Sequence, residues 1–386
     1  MMDFSLNDEQ ISLVNDVAEY CAKHFGENDV RTMYEKHEIP LATTKDWVDR
    51  GHGLLGLDEA YGGKPANKLT IGLALEAAYY HSAATLPFIN STMALFYLSN
   101  SGTPEQIETL MSQYRQTGRT PFSLGISEPE AGSDTMNMTT CAQRQEDGTY
   151  LINGKKTFLA QGSISPYILV LAKDEDPSRS NSSISMWLVP RDAEGVRLEP
   201  MGKIGQQIIP VEDCALTDVR VTDTDRLGEE GAGFLGLMKG LETERCFVAC
   251  WSLGLAQAAM DDAASYVSER IAFEKPLSSF QLIQEKLTEM ETKLQASRIW
   301  LYRTLWELDN GISVRTSSAL MKRFVVRSAF EIADDALQIM GGIGYAGRSR
   351  VGRIWADCRG NRFGAGTDEI MVHIAGRQVA KQYRRN

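Results

Sequence analysis

The chain is short of the residues that most often announce a chemistry. Its 386 residues include five histidines, His24, His37, His52, His81 and His373. They are scattered and form no HExxH pair, which excludes a zincin-type metal site and leaves each to an exposed or packing role. The six cysteines, Cys21, Cys141, Cys214, Cys246, Cys250 and Cys358, contain no CxxC pair and read as inert thiols in a reducing cytosol. Cys246 and Cys250 stand four apart on a helix, yet no second His or Cys pair completes a metal site. Neither a GxSxG elbow nor a P-loop occurs. No uncharged apolar run approaches the ~18 residues of a membrane span. The opening MMDFSLNDEQ lacks a basic segment followed by an apolar one, so no signal peptide is read and a cytoplasmic location is expected. Positive charge is also in deficit: 40 Lys plus Arg face 51 Asp plus Glu, a formal net charge of −11. That disfavours nonspecific nucleic-acid binding, while a local basic pocket for a phosphorylated ligand stays compatible with it.

What is present is an ordinary globular mixture, 43% apolar and 24% charged, long enough for two or three domains. The first third reads as helices. Asn7 is placed to cap a helix, with Gln10 in the capping-box position. Ile11, Val14, Ala18 and Cys21 then define an apolar face. Further helical runs cover residues 71–81, 92–98 and 104–111. Near Pro121 the texture turns to short β-type runs at 122–126, 150–152, 157–159, 167–172, 184–189 and 216–221. The dipeptides Asp147-Gly148 and Asn153-Gly154 have the composition of tight hairpin turns. Residues 174–183, rich in Ser and charge, read as a surface loop. Helices return over 234–270, over the Leu287-Met290-Leu294-Leu301 series, and over 324–340 and 370–383. The expected fold is α+β: an N-terminal helical domain (1–120), a central antiparallel β domain (121–230) and a C-terminal four-helix bundle domain (231–386).

Two segments match GxGxxG, residues 231–236 and 342–347. The first follows a polar loop, and the second follows a helix and leads into Arg348-Ser349-Arg350. Without a strand before and a helix after, neither reads as a dinucleotide fingerprint. A third glycine-rich stretch, NRFGAGTDEI at 361–370, can bring backbone close to a ligand, because glycine has no Cβ to hold it off.

Several stretches, in order and along nearly the whole chain from Asp3 to Tyr383, resemble the acyl-CoA dehydrogenase family. They are SEPEAGSD at 127–134, NGKKTF at 153–158, GEEGAGF at 228–234, RIAF at 270–273, QLIQEK at 281–286 and QIMGG at 338–342. The nearest subgroup by resemblance is that of crotonobetainyl-CoA reductase and related short-chain acyl-CoA dehydrogenases. The resemblance implies FAD, an acyl-CoA thioester substrate, electron-transfer flavoprotein as redox partner and a homotetramer. The reaction it implies removes a proton from Cα and a hydride from Cβ, or the reverse, and so needs a carboxylate base and donors on the thioester oxygen.

In many members the base is a glutamate in the C-terminal loop, where this chain has Ala365. Other members carry it on a helix, at the position of Glu244. The resemblance therefore implies Glu244 as base and the backbone N–H of Ala365 as thioester donor. It places Ser127, Ser133, Phe158, Ala160, Arg270, Phe273, Gln281, Gln338, Gly342, Thr367 and Glu369 around FAD, partly across a subunit interface. Ser133, Glu242, Arg245 and Gly364 fall on the substrate side. Ala160 departs from the usual hydroxyl residue, Glu274 from the usual glycine, and Ala356 from the arginine of an Arg-Asp pair, leaving Asp357 without that partner. The alternative reading is a non-catalytic flavoprotein of the same fold, used for binding or assembly.

Overall fold

The computed structural model describes residues 5–175, 183–347 and 349–384. Asp3, Phe4, Arg348 and most of the loop expected at 174–183 lie outside the described residues. Six helices come first: α1 (Asp8–His24), α2 (Glu27–Lys36), α3 (Leu41–Asp49), α4 (Lys68–Ser82), α5 (Phe88–Ser101) and α6 (Pro104–Thr117). The capping box that opens α1 forms as expected. The Asn7 side chain accepts from the Gln10 N–H at 2.8 Å, and the Gln10 side chain accepts from the Asn7 N–H at 3.1 Å.

The buried face of α1 is different from the one expected. Val17, Tyr20 and Cys21 are buried, whereas Ile11 is exposed and Val14 and Ala18 are half-buried. Leu13, Val17 and Tyr20 also follow helical spacing, and the aromatic decides between the two stripes. The Tyr20 ring packs against Trp47 and Phe88, and its hydroxyl donates to the Thr43 carbonyl at 2.9 Å. Helix α4 is buried on nearly all sides, which is why it is rich in Ala and Leu without a polar face.

Seven strands follow: β1 (Phe122–Gly125), β2 (Cys141–Arg144), β3 (Tyr150–Ala160), β4 (Tyr167–Glu175), β5 (Ser183–Pro190), β6 (Val196–Pro200) and β7 (Val211–Val221). The sheet is mixed, where an antiparallel one was expected: β1 and β2 both run parallel to β4, and the other pairs are antiparallel. Both short strands use the same edge of β4, β1 along Tyr167–Val170 and β2 along Lys173–Glu175. The chain between them is thereby thrown out from that edge.

Of the two turn dipeptides, only Asp147-Gly148 makes a turn, between β2 and β3. Asn153-Gly154 sits inside β3 at a register shift against β7. Gly154 has φ 151°, and a Cβ there would collide with Thr140, so its glycine serves a bulge and a close approach. The two β-type runs at 150–152 and 157–159 are therefore one strand.

The last part begins with α7 (Gly233–Glu269), 37 residues long. A two-strand hairpin, β8 (Ile271–Ala272) and β9 (Lys275–Pro276), then leads to α8 (Gln281–Asp309), α9 (Arg315–Met340), α10 (Gly342–Tyr345), α11 (Arg350–Gly360) and α12 (Asp368–Gln382). Helix α9 starts nine residues earlier than the apolar spacing suggested, because a lysine, Lys322, occupies one of its core positions. Segment 231–236 opens α7 and segment 342–347 forms the short α10; neither follows a strand as a dinucleotide site requires. No group of three metal-ligating side chains and no helix long and apolar enough to cross a membrane occurs among the described residues.

Candidate active site

The SEPEAGSD loop leaves the edge of β4 between β1 and β2, and one buried carboxylate organises it. Glu128 accepts from the backbone N–H groups of Thr139 (2.6 Å) and Thr140 (2.9 Å) and from the Lys156 ammonium (2.9 Å). Burial pushes its carboxyl up, but the hydrogen bonds from Thr140, Thr139 and Lys156 outweigh it and bring it down to about 2. The loop is thus a fixed charged anchor carrying Ser127 and Ser133 outward. Ser127 is tied to β3 by the Thr157 N–H, which donates to its carbonyl at 2.9 Å.

Next to that bond, Phe158 has φ 58° at a second register shift of β3. A bulge re-aims the side chain, and the Phe158 ring is 65% exposed. A hydroxyl residue and a flat exposed ring therefore sit side by side. Ala160, two residues on, pairs with Val211.

Glu244 lies on α7, half-buried, and makes no hydrogen bond or ion pair among the described residues. Desolvation pushes its carboxyl up to about 7, against the pull of the Arg245 and Lys322 charges. Arg245 is buried, and its Nε finds no partner. On α5, Tyr97 is buried with its hydroxyl 3.5 Å from the Leu237 carbonyl. It fills the space a Cβ would need at Gly240, one turn before Glu244, and the Glu244 charge reaches its phenol.

The loop at 361–367 faces the same charges through Lys322. The Lys322 ammonium donates to the carbonyls of Gly366 (2.8 Å) and Arg362 (3.4 Å). Between those two carbonyls stands Ala365, at φ 53°, a left-handed conformation rare for a residue with a Cβ. Asn361 donates to the Ser252 hydroxyl of α7 at 2.9 Å and accepts from Gln206 at 2.8 Å. Gln161, which follows Ala160, donates its N–H to Pro210 at 2.8 Å. The segment from 201 to 210 therefore links the end of β3 to the loop. A Cβ at Gly364 would meet nothing within 4 Å, so space is open beside it. Thr367 caps α12, accepting from the Ile370 N–H at 3.2 Å.

Sequence comparison accounts for all three layers. Residues 7–116, 123–219 and 231–380 match the N-terminal, middle and C-terminal domains of acyl-CoA dehydrogenase. The chain belongs to the acyl-CoA dehydrogenase family. It is 39% identical over 384 residues to the probable acyl-CoA dehydrogenase YdiO of Escherichia coli K12, covering 99% of this chain and 100% of that one. Its fold is similar to an acyl-CoA dehydrogenase from Slackia heliotrinireducens, with TM-score 0.89, 35% identity and 99% of each chain covered. It is also similar to butyryl-CoA dehydrogenase from Megasphaera elsdenii, with TM-score 0.89, 27% identity and 98% and 100% of the two chains covered. The protein is accordingly an oxidoreductase of a family that is flavin-dependent in general.

The residues that the resemblance assigns to a flavin fall in two separated groups. Glu244, with Lys322 and the 361–367 loop that it holds, belongs to the half of α7 nearer its start, and Ser127 and Phe158 lie at β3. Arg270, Phe273, Gln281, Gln338 and Gly342 belong to the opposite end of the acyl-CoA dehydrogenase bundle, where α7 and α9 finish and α8 begins. Ion pairs between α8 and α9, Lys286–Asp335 and Lys293–Glu331 (2.9 Å), fix that antiparallel alignment. Arg270 stands 26 residues after Glu244, roughly 39 Å along a helix axis at 1.5 Å per residue. The two groups therefore stand far apart within one chain.

All five far-end residues are exposed, Phe273 at 89%. Both central residues of its hairpin, Phe273 (φ 51°) and Glu274 (φ 65°), are left-handed, the conformation that the usual glycine would tolerate. Glu369 is exposed at the first turn of α12.

Asp357, left without its expected arginine, is fully buried with other partners. It accepts from the Tyr34 hydroxyl, the Thr85 hydroxyl (2.7 Å) and the Gln206 N–H. Sequence reading missed Lys322 and Tyr97. The available signal for Lys322 was its place on the stripe Ala319, Lys322, Val325, Ala329, where a charged residue occupies a core position.

Proposed function

We propose that this chain is an FAD-dependent acyl-CoA dehydrogenase or enoyl-CoA reductase whose base is Glu244. The observation that carries the reading is the half-buried Glu244 carboxyl, free of hydrogen bonds and held near 7 by desolvation. About half of such carboxyls are ionised at pH 7, and a base works best with its pKa near the working pH. Glu244 takes the proton from the carbon next to the thioester carbonyl and returns it in the reverse direction. The Ala365 N–H donates to the thioester oxygen, where negative charge gathers, and a backbone donor survives any change of side chain at that position. The flavin, when bound, supplies the hydride acceptor.

Ser127 and Phe158 would hold the flavin ring. Ser133 would meet the CoA diphosphate side, with Glu242, Arg245 and Gly364 near the acyl group. Thr367 and Glu369 would meet the adenine side, together with Arg270, Phe273, Gln281, Gln338 and Gly342 of a second copy. The roughly 39 Å between the two groups supports such an assembly, read as a cytoplasmic homotetramer passing electrons to electron-transfer flavoprotein.

Tyr97 bears on the substrate. An acyl chain lying along α7 past Glu244 meets this phenol at Gly240, which favours a short acyl group. The likeness to butyryl-CoA dehydrogenase of Megasphaera elsdenii points the same way. The test is an anaerobic titration of the purified flavoprotein with acyl-CoA thioesters of increasing length. The wild type is expected to lose flavin absorbance with short chains, and Glu244→Gln to keep it while still binding flavin. Bleaching by Glu244→Gln at the wild-type rate would remove Glu244 as base.

A further inference from the structure

We propose that Lys322 is a positioning residue for this site: its buried ammonium holds the 362–366 bend that presents the Ala365 N–H, and its positive charge acts on Glu244 from α9. The inference rests on the reading of Glu244 and Ala365 given above. Lys322 reaches the loop from α9, fully buried. Its only hydrogen-bond partners among the described residues are two carbonyl oxygens, Gly366 at 2.8 Å and Arg362 at 3.4 Å. A buried ammonium with no carboxylate in direct contact is costly, and the surroundings push its proton affinity down to about 8.

The arrangement has a geometric consequence. The two carbonyls flank Ala365, whose left-handed backbone persists only where its surroundings over-determine it. The other anchors act through the loop's side chains and not through its carbonyls. Asn361 is tied to Ser252 and Gln206, Arg362 pairs through its side chain with Asp368, and Thr367 caps α12. Lys322 alone among the described residues bonds to carbonyls on both sides of Ala365.

The charges around the pair are few. Glu244 feels Arg245 on its own helix and Lys322 from α9, and it acts on the Tyr97 phenol of α5. Lys322 feels Asp368 of α12, Arg245, the Arg362 side chain and Glu244. The Lys322 charge favours the ionised form of Glu244. Its removal therefore raises the pH at which Glu244 becomes a base.

The experiment compares Lys322→Met, which removes donor and charge, with Lys322→Gln, which keeps a donor and removes the charge, both as holoprotein. Amide hydrogen exchange is followed over residues 361–367, together with kcat, KM and the acid limb of the kcat/KM profile. Lys322→Met is expected to speed exchange in the loop, not in the α7 core, and to lower kcat about tenfold or more with little change in KM, as for a misplaced oxyanion donor. Its acid limb moves to higher pH. Lys322→Gln is expected to keep the loop protected while its limb still moves up.

Unchanged loop exchange in Lys322→Met, or an unmoved limb in Lys322→Gln, would overturn the proposal. If Lys322→Met does not accumulate as holoprotein, Lys322→Gln decides it by the limb. Glu244→Gln run alongside keeps the two readings apart: normal turnover there removes the base assignment, while loop exchange in the lysine variants still judges Lys322.

Discussion

The two ends of helix α7 are built on opposite terms. Near its start, Arg245, Tyr97 and Lys322 are buried and Glu244 half-buried, and desolvation shifts the proton affinity of each, with their mutual charges a smaller influence. Past its finish, Arg270, Phe273, Gln281 and Gln338 are exposed, and the hairpin between them is strained. Burial gives the first end its shifted proton affinities within one chain. The second end leaves an aromatic as large as Phe273 exposed, as the proposed cover by a second copy requires.

The contrast can be broken at either end. The largest effect is expected from Glu244→Gln, a loss of about 10²–10⁴-fold in kcat with flavin retained, measured by anaerobic flavin reduction. In the wild type, kcat/KM should rise as pH increases through about 7, because the base must lose its proton to act. A profile flat from pH 5 to 9 would place the base elsewhere. At the far end, Phe273→Asp should weaken assembly and flavin retention while leaving the fold of the single chain intact. Sedimentation and the flavin-to-protein absorbance ratio measure both.

A smaller effect is expected from Gly240→Ala, which drives a methyl group into Tyr97. Overpacking of this kind costs about 1–3 kcal/mol, read by denaturant unfolding. The smallest is Glu274→Gly. It relieves a left-handed residue at φ 65° and should stabilise the hairpin by about 1 kcal/mol, unless the lost side chain serves the assembly.

Local features were the ones legible in the sequence. The Asn7–Gln10 box and the Asp147-Gly148 turn depend on residues a few positions apart, and both form as read. Where the outcome hangs on a distant partner, local pattern failed. Asn153-Gly154 has turn composition, yet Thr140 and β7 hold it in a strand. The choice of buried face on α1 was made by Trp47 and Phe88. Parallel pairing of β1 and β2 with β4 is likewise a long-range event that the alternation of residues does not encode.

At the site, the same division holds. Resemblance pointed to Glu244 and Ala365 by motif position, and the structure adds the environment that decides what each can do. Lys322 escaped because a lysine on a helix ordinarily faces water, which outweighed its place on an apolar stripe; its two carbonyl partners lie 40 and 44 residues later in the chain.

The buried Asp357 carries a consequence for how the molecule comes apart. One carboxylate takes bonds from α2, from the turn between α4 and α5, and from the segment at 201–210, while belonging to α11. Pulling the first or the middle layer away takes donors from this buried carboxyl and leaves it short of partners. The three layers should therefore melt in a single calorimetric transition. A chimera that borrows the middle layer from a relative should hold only if it brings a donor for this carboxylate with it.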